Sequence, residues 1–275
     1  MNDTTDPGAG GADFGAIAPH YVARARVQQR AAAQLFDLLG IGPHDAVLDL
    51  GCGPGHLTAK IRELTDGPVT GVDAAAGMIG EARRVYAGHD IAFRQASAAG
   101  LDDVAAFDRI FCNSALQWMK PAEPALAACH RALRPGGRMA VQAPATARYC
   151  PNFARAMERV ARDRQTGPIF ARFVSPWTLL ESAQDYRALF EGQGFKVAAA
   201  RMEMAMAGYA AGEALGVFDS GAAAAYLNPD CYPMHLPRGY AAAVRRIVHD
   251  ALTEQATDGR VDLVFHRVYL LAEKP

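Results

Sequence analysis

The stretch V-L-D-L-G-C-G-P-G, Val47–Gly55, reads as a short apolar strand that runs straight into a glycine-rich turn. Glycines at 51, 53 and 55 permit positive φ and let another molecule approach the backbone closely. A helix opening behind the turn presents unpaired N–H groups at its start. The spacing is G-x-G-x-G. The dinucleotide fingerprint G-x-G-x-x-G would need its third glycine where His56 stands. An acid, Asp49, lies just ahead of the turn; it repels a pyrophosphate and attracts an ammonium group.

Outward from this turn, strand-type and helix-type segments alternate. A helix over about 56–65 leads to a strand at Pro68–Val72 and a helix over about 76–86. Strands follow at Ile91–Arg94, Phe107–Cys112 and Arg138–Ala143, with a helix at Pro121–Leu133 before the last of these. This rhythm predicts crossover units and a parallel, doubly wound sheet. Upstream, Ile17, Tyr21, Val27, Leu35, Leu38 and Leu39 recur at helical spacing from Asp13 to the stop at Gly40. Downstream, Phe195–Met206 and Val261–Leu271 alternate like strands, and Ala-rich helical segments lie between them. Asp73 closes the second strand, eighteen residues beyond Gly55. An acid in that place can take both hydroxyls of a ribose. A nucleoside with an amino-acid tail and no phosphate suits both carboxylates, which describes S-adenosyl-L-methionine.

Composition narrows the field. The 275 residues are 51% hydrophobic, enough for a packed core. Twenty-eight basic residues face twenty-nine acidic ones, for a net charge of −1, so no large electrostatic footprint for nucleic acid or a membrane surface is expected. Five scattered cysteines, never spaced C-x-x-C, predict buried thiols rather than a disulfide framework or zinc site. The eight histidines show no metal-ligand spacing, and no metal is expected. Residues 1–12 read as a disordered acidic, Gly-rich tail without signal-peptide character, and no apolar run reaches about 18 residues. A cytoplasmic protein is the expectation.

D-L-G-C-G-P-G, the second strand V-T-G-V-D and L-R-P-G-G-R before the fifth strand together resemble the class I S-adenosylmethionine-dependent methyltransferases. The resemblance covers about residues 13–145 and implies a Rossmann-like α/β fold. Its seven-stranded sheet would be mostly parallel, with the last strand antiparallel. The implied layout is one domain over 13–275, with a core of 13–145, 181–206 and 258–275 and helical cover insertions at 146–180 and 207–257. It implies that Gly51, Gly53 and Gly55 pass beneath the methionine part of the cofactor and that Asp49 orients its ammonium. Asp73 would hold the ribose, Ala74 and Met78 flank the adenine, and Asn113 offer its backbone carbonyl near the ammonium. Many relatives carry an Asp after strand three that accepts the adenine amino group. Here the sequence reads Q-A-S-A, which puts Ala96 and Ser97 at that place.

N-S-A-L-Q-W after strand four is unlike the N-P-P-Y-type motif of base-modifying relatives, so a small-molecule or acyl-carrier-bound acceptor is expected. The leader, with Phe14, Gly15, Ala18, His20, Tyr21 and Gln28, looks like the malonyl-acyl-carrier-protein O-methyltransferases. L-Q-W is shared with them and with the trans-aconitate methyltransferases, and the ending V-D-L-V-F-H-R-V-Y-L-L-A looks closer to the latter. Both branches methylate a carboxylate, a nucleophile that needs no base. Acceptor-side candidates are His20, Tyr21, Gln117 and Trp118, with Tyr21 also near the methionine end. Tyr149, Phe170, Phe173 and Trp177 are candidates for an apolar wall, although for most of them ordinary lid packing is the better account. Any of Arg148, Arg172 and Arg238 could clamp an acceptor carboxylate bidentately, although each read singly is better taken as a solvated surface arginine. Two other readings stay open: O-, N- or C-methylation of a secondary metabolite, and a non-catalytic protein that binds the cofactor.

Overall fold

The computed structural model describes residues 26–275, with side chains from Ala31 onward. Residues 1–12, His20 and Tyr21, and the first half of the expected leading helix, lie outside the described residues. Helix α1 is described over Arg26–Leu39. The alternation that follows is β1 (Val47–Leu50), α2 (His56–Arg62), β2 (Val69–Asp73), α3 (Ala76–Val85), β3 (Ala92–Gln95), β4 (Phe107–Asn113), α4 (Glu123–Ala132) and β5 (Leu133–Pro144). The second half holds α5 (Pro151–Arg162), α6 (Gly167–Phe170), α7 (Ala183–Glu191), β6 (Lys196–Tyr209), α8 (Ala211–Asp219), α9 (Ala223–Tyr226), α10 (Tyr240–Glu254) and β7 (Val261–Glu273).

The seven strands form one sheet in the order β3-β2-β1-β4-β5-β7-β6. Strands β1 to β5 are parallel, and β7 runs antiparallel to both of its neighbours. From β1 the chain winds outward to β3, then returns to β4 on the other side. The C-terminal ends of β1 and β4 therefore flank the point where the winding direction switches, which is where such sheets open a crevice for ligands. Strand β1 is buried at all four positions because helices cover both faces. On one face Leu48, Leu50, Ile110 and Val141 pack with Leu126 of α4 and Tyr186 and Phe190 of α7. On the other, Val47, Phe111 and Ala140 pack with Leu35 and Leu39 of α1 and Ile61 of α2. All five cysteines are buried and free.

Two boundaries differ from the sequence expectation. Strand β5 begins at Leu133, ahead of Arg138, because Leu133 already pairs with Phe107 before the ladder shifts register at Arg109. Strand β6 runs on to Tyr209, past the expected edge of the cover at 206, because its ladder with β7 continues to the Tyr209–Val261 pair. The upper half of the β6–β7 hairpin thus becomes a wall of the cover. There Val261, Leu263 and Phe265 pack with Phe153 and Val160 of α5, Phe218 of α8 and Val244 and Val248 of α10. Among the described residues, no helix is long and apolar enough to cross a membrane.

Candidate active site

The glycine turn is tied down before any ligand is considered. The N–H groups of Gly51 and Cys52 both donate to the Val72 carbonyl, at 2.8 and 3.0 Å. All three glycines have positive φ, 75°, 55° and 87° in chain order. Their surroundings differ. A Cβ on Gly51 would lie 2.3 Å from the Ala115 Cβ, and one on Gly55 would lie 2.9 Å from the Phe93 ring. A Cβ on Gly53 would meet nothing within 4 Å. Protein packing therefore explains the first and third glycines, and Gly53 leaves open space for another molecule. Gly51→Ala is expected to cost about 3 kcal/mol through overpacking and a left-handed backbone. At about 2–4 °C per kcal/mol for a chain of this size, Tm should fall by about 6–12 °C. Gly53→Ala should lower Tm by no more than a few degrees, yet weaken S-adenosylhomocysteine binding at least tenfold by calorimetry, because its methyl group enters the open space.

The two acids stand at the ends of neighbouring strands. Asp49 is only 2% exposed, and the Thr58 hydroxyl on the first turn of α2 donates to its Oδ2 at 2.6 Å. Burial, reinforced by the nearby Asp73 charge and opposed by the Thr58 bond, raises the Asp49 carboxyl to about 7. Asp73 accepts from the Gly53 N–H at 2.9 Å and the Ala75 N–H at 2.8 Å, one on each oxygen. Burial raises its carboxyl as well, against the pull of those two bonds. Each oxygen keeps a lone pair for a hydroxyl donor. The Cys52 thiol between the acids is pushed up by burial and by Asp49, so it is not a thiolate nucleophile.

Around Asp73, Ala74 is exposed and Met78 is buried in the first turn of α3. The Ala96 N–H donates to the Asp73 carbonyl at 3.1 Å, which brings the Gln95–Ala98 segment beside the acid. The Ser97 Oγ already accepts from the Gly100 N–H at 3.1 Å and caps a short 3₁₀ turn. That bond occupies one of the two lone pairs a serine could offer an adenine amino group.

At the end of β4, Asn113 pairs with Gln142 of β5. The next residue, Ser114, has φ 56° and hydrogen-bonds the Gln142 side chain at 3.0 Å. Gln117 donates to the Ser114 carbonyl at 2.8 Å. Asn113 Oδ1, Gln117 Oε1 and Gln142 Nε2 are buried without a hydrogen-bond partner, so amide groups converge where β4 and β5 end. A buried amide left without a partner is costly, which favours a polar ligand at this place. Trp118 packs edge-on against Trp177, with ring centroids 5.7 Å apart. Trp177 in turn meets Tyr149 at 5.7 Å and Tyr226 at 5.1 Å. Phe173 packs against Trp177 and Tyr226, and against Phe170. The aromatic candidates of the cover are thus brought together with Trp118. Arg148, Arg172 and Arg238 are exposed, and Arg148 pairs with Glu158.

Sequence reasoning passed over Thr58, Gln142 and Tyr226. Thr58 had a signal, since the first turn of a helix behind the glycine loop faces the strand that precedes it. The other two sit in segments whose patterns read as strand alternation or alanine-rich sequence.

Residues 47–137 match the model of a methyltransferase domain. The trans-aconitate 2-methyltransferase of Methylobacterium nodulans is 31% identical over 262 residues, covering 94% of this chain and 97% of that protein. A malonyl-[acyl-carrier protein] O-methyltransferase of Enterobacter lignolyticus is 37% identical over 135 residues, 49% of this chain and 53% of its own length. Among solved structures, a putative methyltransferase from Bacillus halodurans shares the fold at a TM-score of 0.58 and 14% identity, covering 89% and 98% of the two chains. The open space over Gly53 and the paired acids agree with these likenesses. The chain belongs to the class I S-adenosylmethionine-dependent methyltransferases, in the branch that holds the trans-aconitate and malonyl-acyl-carrier-protein enzymes, and S-adenosyl-L-methionine is its cofactor.

Proposed function

We propose that the chain transfers a methyl group to a carboxylate oxygen of a small-molecule or carrier-bound acid, and that a free polycarboxylic acid suits it better than a carrier-bound one. The observation that carries this is one match, to the trans-aconitate 2-methyltransferase that covers 94% of this chain and so runs through both cover segments, whereas the malonyl-carrier enzymes match about half to two thirds of each chain.

In this reading Asp73 takes the ribose hydroxyls, Asp49 faces the ammonium, and the Gly53 backbone lies under the methionine part. Ala96 and Ser97 border the adenine, with Ala74 and Met78 on its flank, and the Asn113 carbonyl faces the ammonium from the other side. The bound cofactor supplies a methyl group already activated on a sulfonium. A carboxylate is ionised at neutral pH, so the chain has no proton to remove from it. The work left to the protein is alignment and exclusion of water. Gln117 and the amides near it orient the acceptor, and Trp118, Trp177 and Tyr149 shield the transfer.

The test is transfer from methyl-labelled cofactor to a panel of free mono-, di- and tricarboxylic acids and to a malonyl thioester on acyl carrier protein. The expected product is a methyl ester on a free polycarboxylic acid, which releases labelled methanol in mild alkali. An alkali-stable labelled product would sink the carboxylate assignment and point to an ether, amine or C-methyl product instead.

A further inference from the structure

Among the described residues, β6 ends the sheet, with β7 on one side and no strand on the other. The main chain of residues 199–206 bonds to β7 and to no other described backbone. Such an edge is a ready template for another strand, and proteins protect their edges with lysine, proline or charge. Between Val197 and Tyr209 this edge carries no proline and no lysine, and its two charges, Arg201 and Glu203, cancel. Met204 and Met206 stand 68% and 61% exposed on it. A groove of about 900 Å³ lies beside its upper half, between Gln34 of α1 and Gly212 and Gly216 of α8. Residues 203–209 all line that groove, although successive side chains of a strand point to opposite faces. The groove therefore follows the edge of the strand, where an added strand would lie.

The charges identify the added strand. A copy of the same edge, turned about a two-fold axis normal to the sheet, runs antiparallel to β6 and keeps each side chain on its own face. Directly opposed residues share a face, so the axis passes through the level of one residue. With the axis at Met202, Arg201 stands opposite the partner's Glu203, and Glu203 opposite the partner's Arg201. No other axis pairs these two charges with each other. An axis at either of them opposes like charges, and an axis at Met204 leaves both facing alanines. Within one strand Arg201 Nε already donates to Glu203 Oε1 at 2.5 Å, which leaves the terminal guanidinium nitrogens and Glu203 Oε2 to reach across. The same axis sets the exposed Met204 opposite the partner's Ala200, a long side chain beside a short one, and Ala205 opposite the partner's Ala199. The β6–β7 ladder shifts register between Val197 and Ala199, which ends the matched stretch, so the seam is residues 199–205.

We propose that two copies of this chain associate through β6, antiparallel and centred on Met202, so that one sheet runs through both. The seam supplies main-chain hydrogen bonds along the outer side of β6, two cross-strand ion pairs on one face and cover for Met202 and Met204 on the other. Strands β4, β5 and β7 separate β6 from β1 and its glycine turn, so each copy keeps its own cofactor site whole.

Sedimentation velocity over a wide range of protein concentration would measure association of the full chain as wild type, as Arg201→Glu, and as the double exchange Arg201→Glu with Glu203→Arg. The single change sets acid against acid on both sides of the axis, and the double exchange restores opposite signs with their places traded. Expected are a dimer in wild type, about tenfold weaker association in the single variant and recovery to within about threefold in the double. Calorimetry with S-adenosylhomocysteine checks that each variant keeps its fold, and its affinity should be alike in all three. Hydrogen exchange read by mass spectrometry locates the seam: the amides of residues 199–205 should exchange more slowly as wild-type concentration rises. A monomer at every concentration overturns the proposal and leaves the edge to an extended segment of a different protein. Protection of residues 199–205 that is already complete in a monomer also overturns it, since the chain then covers its own edge. A dimer that ignores both charge changes and leaves those amides unprotected overturns it as well, because the copies then meet elsewhere.

Discussion

Asp73→Ala is expected to weaken S-adenosylhomocysteine binding about 100-fold. In the reading above its carboxylate accepts two ribose hydroxyls, and a hydrogen bond to a charged group is worth about 1.5–3 kcal/mol. Two bonds near the low end give about 3 kcal/mol, and each 1.4 kcal/mol is tenfold in affinity. The same carboxylate also holds the Gly53 and Ala75 N–H groups, so its removal loosens the turn and should lower Tm by a few degrees. Asp73→Asn separates the two effects. It keeps the shape and one carbonyl oxygen, but its amide nitrogen must face a backbone N–H or a ribose hydroxyl. An intermediate loss of affinity is expected there. Calorimetry with NAD in parallel should show no binding to any of the three proteins. Wild-type affinity in folded Asp73→Ala would remove the ribose from this acid, and with it the placement of the nucleoside.

The cofactor half was legible because its parts are close in sequence. Asp49, the three glycines and the start of α2 lie within ten residues, and the physical demands on each are local: positive φ, an acid at a strand end, a helix start. Asp73 follows one crossover later, at a distance fixed by the helix between. The roles inside the motif were less legible. G-x-G-x-G does not say that Gly51 makes room for Ala115 and Gly55 for Phe93, because those partners arrive from β3 and from beyond β4. The family resemblance puts Ser97 at the adenine's place, but it does not reveal Ser97 as the cap of a 3₁₀ turn.

The residues proposed for the acceptor side were hidden for the same physical reason. Tyr149, Trp177 and Tyr226 come from three segments that meet only once the cover has packed. Each reads by itself as an ordinary apolar residue of that cover.

Affinity for S-adenosylhomocysteine is expected to fall by about 16-fold as pH drops from 7 to 5.5, with a proton released on binding. The free protein holds Asp49 at about 7, chiefly because burial disfavours its charge. An ammonium placed beside it favours the ionised form and pulls the bound-state value well below 7. Below pH 7, binding must then first remove a proton; the cost approaches one decade of affinity per pH unit, and from the half-protonated state at pH 7 a drop of 1.5 units gives about 16-fold. The stability of the ligand-free protein should respond to the same group with the opposite sign. Its folded value lies above the usual 3.8, so the folded state binds the proton more tightly than the unfolded state. Its contribution to stability is greatest at low pH and is lost as pH rises from about 4 to about 7. Asp49→Asn should flatten both dependences, leaving a pH-independent but weakened affinity and a more stable free protein at pH 8. Calorimetry in two buffers of different ionisation enthalpy measures the released proton directly. A flat affinity and no proton release in wild type would mean that Asp49 is already ionised before binding or lies away from the ammonium. Thr58→Val distinguishes those two cases: removing the 2.6 Å donor raises the Asp49 carboxyl further and moves the whole pH dependence upward only if this carboxyl is the group that the cofactor discharges.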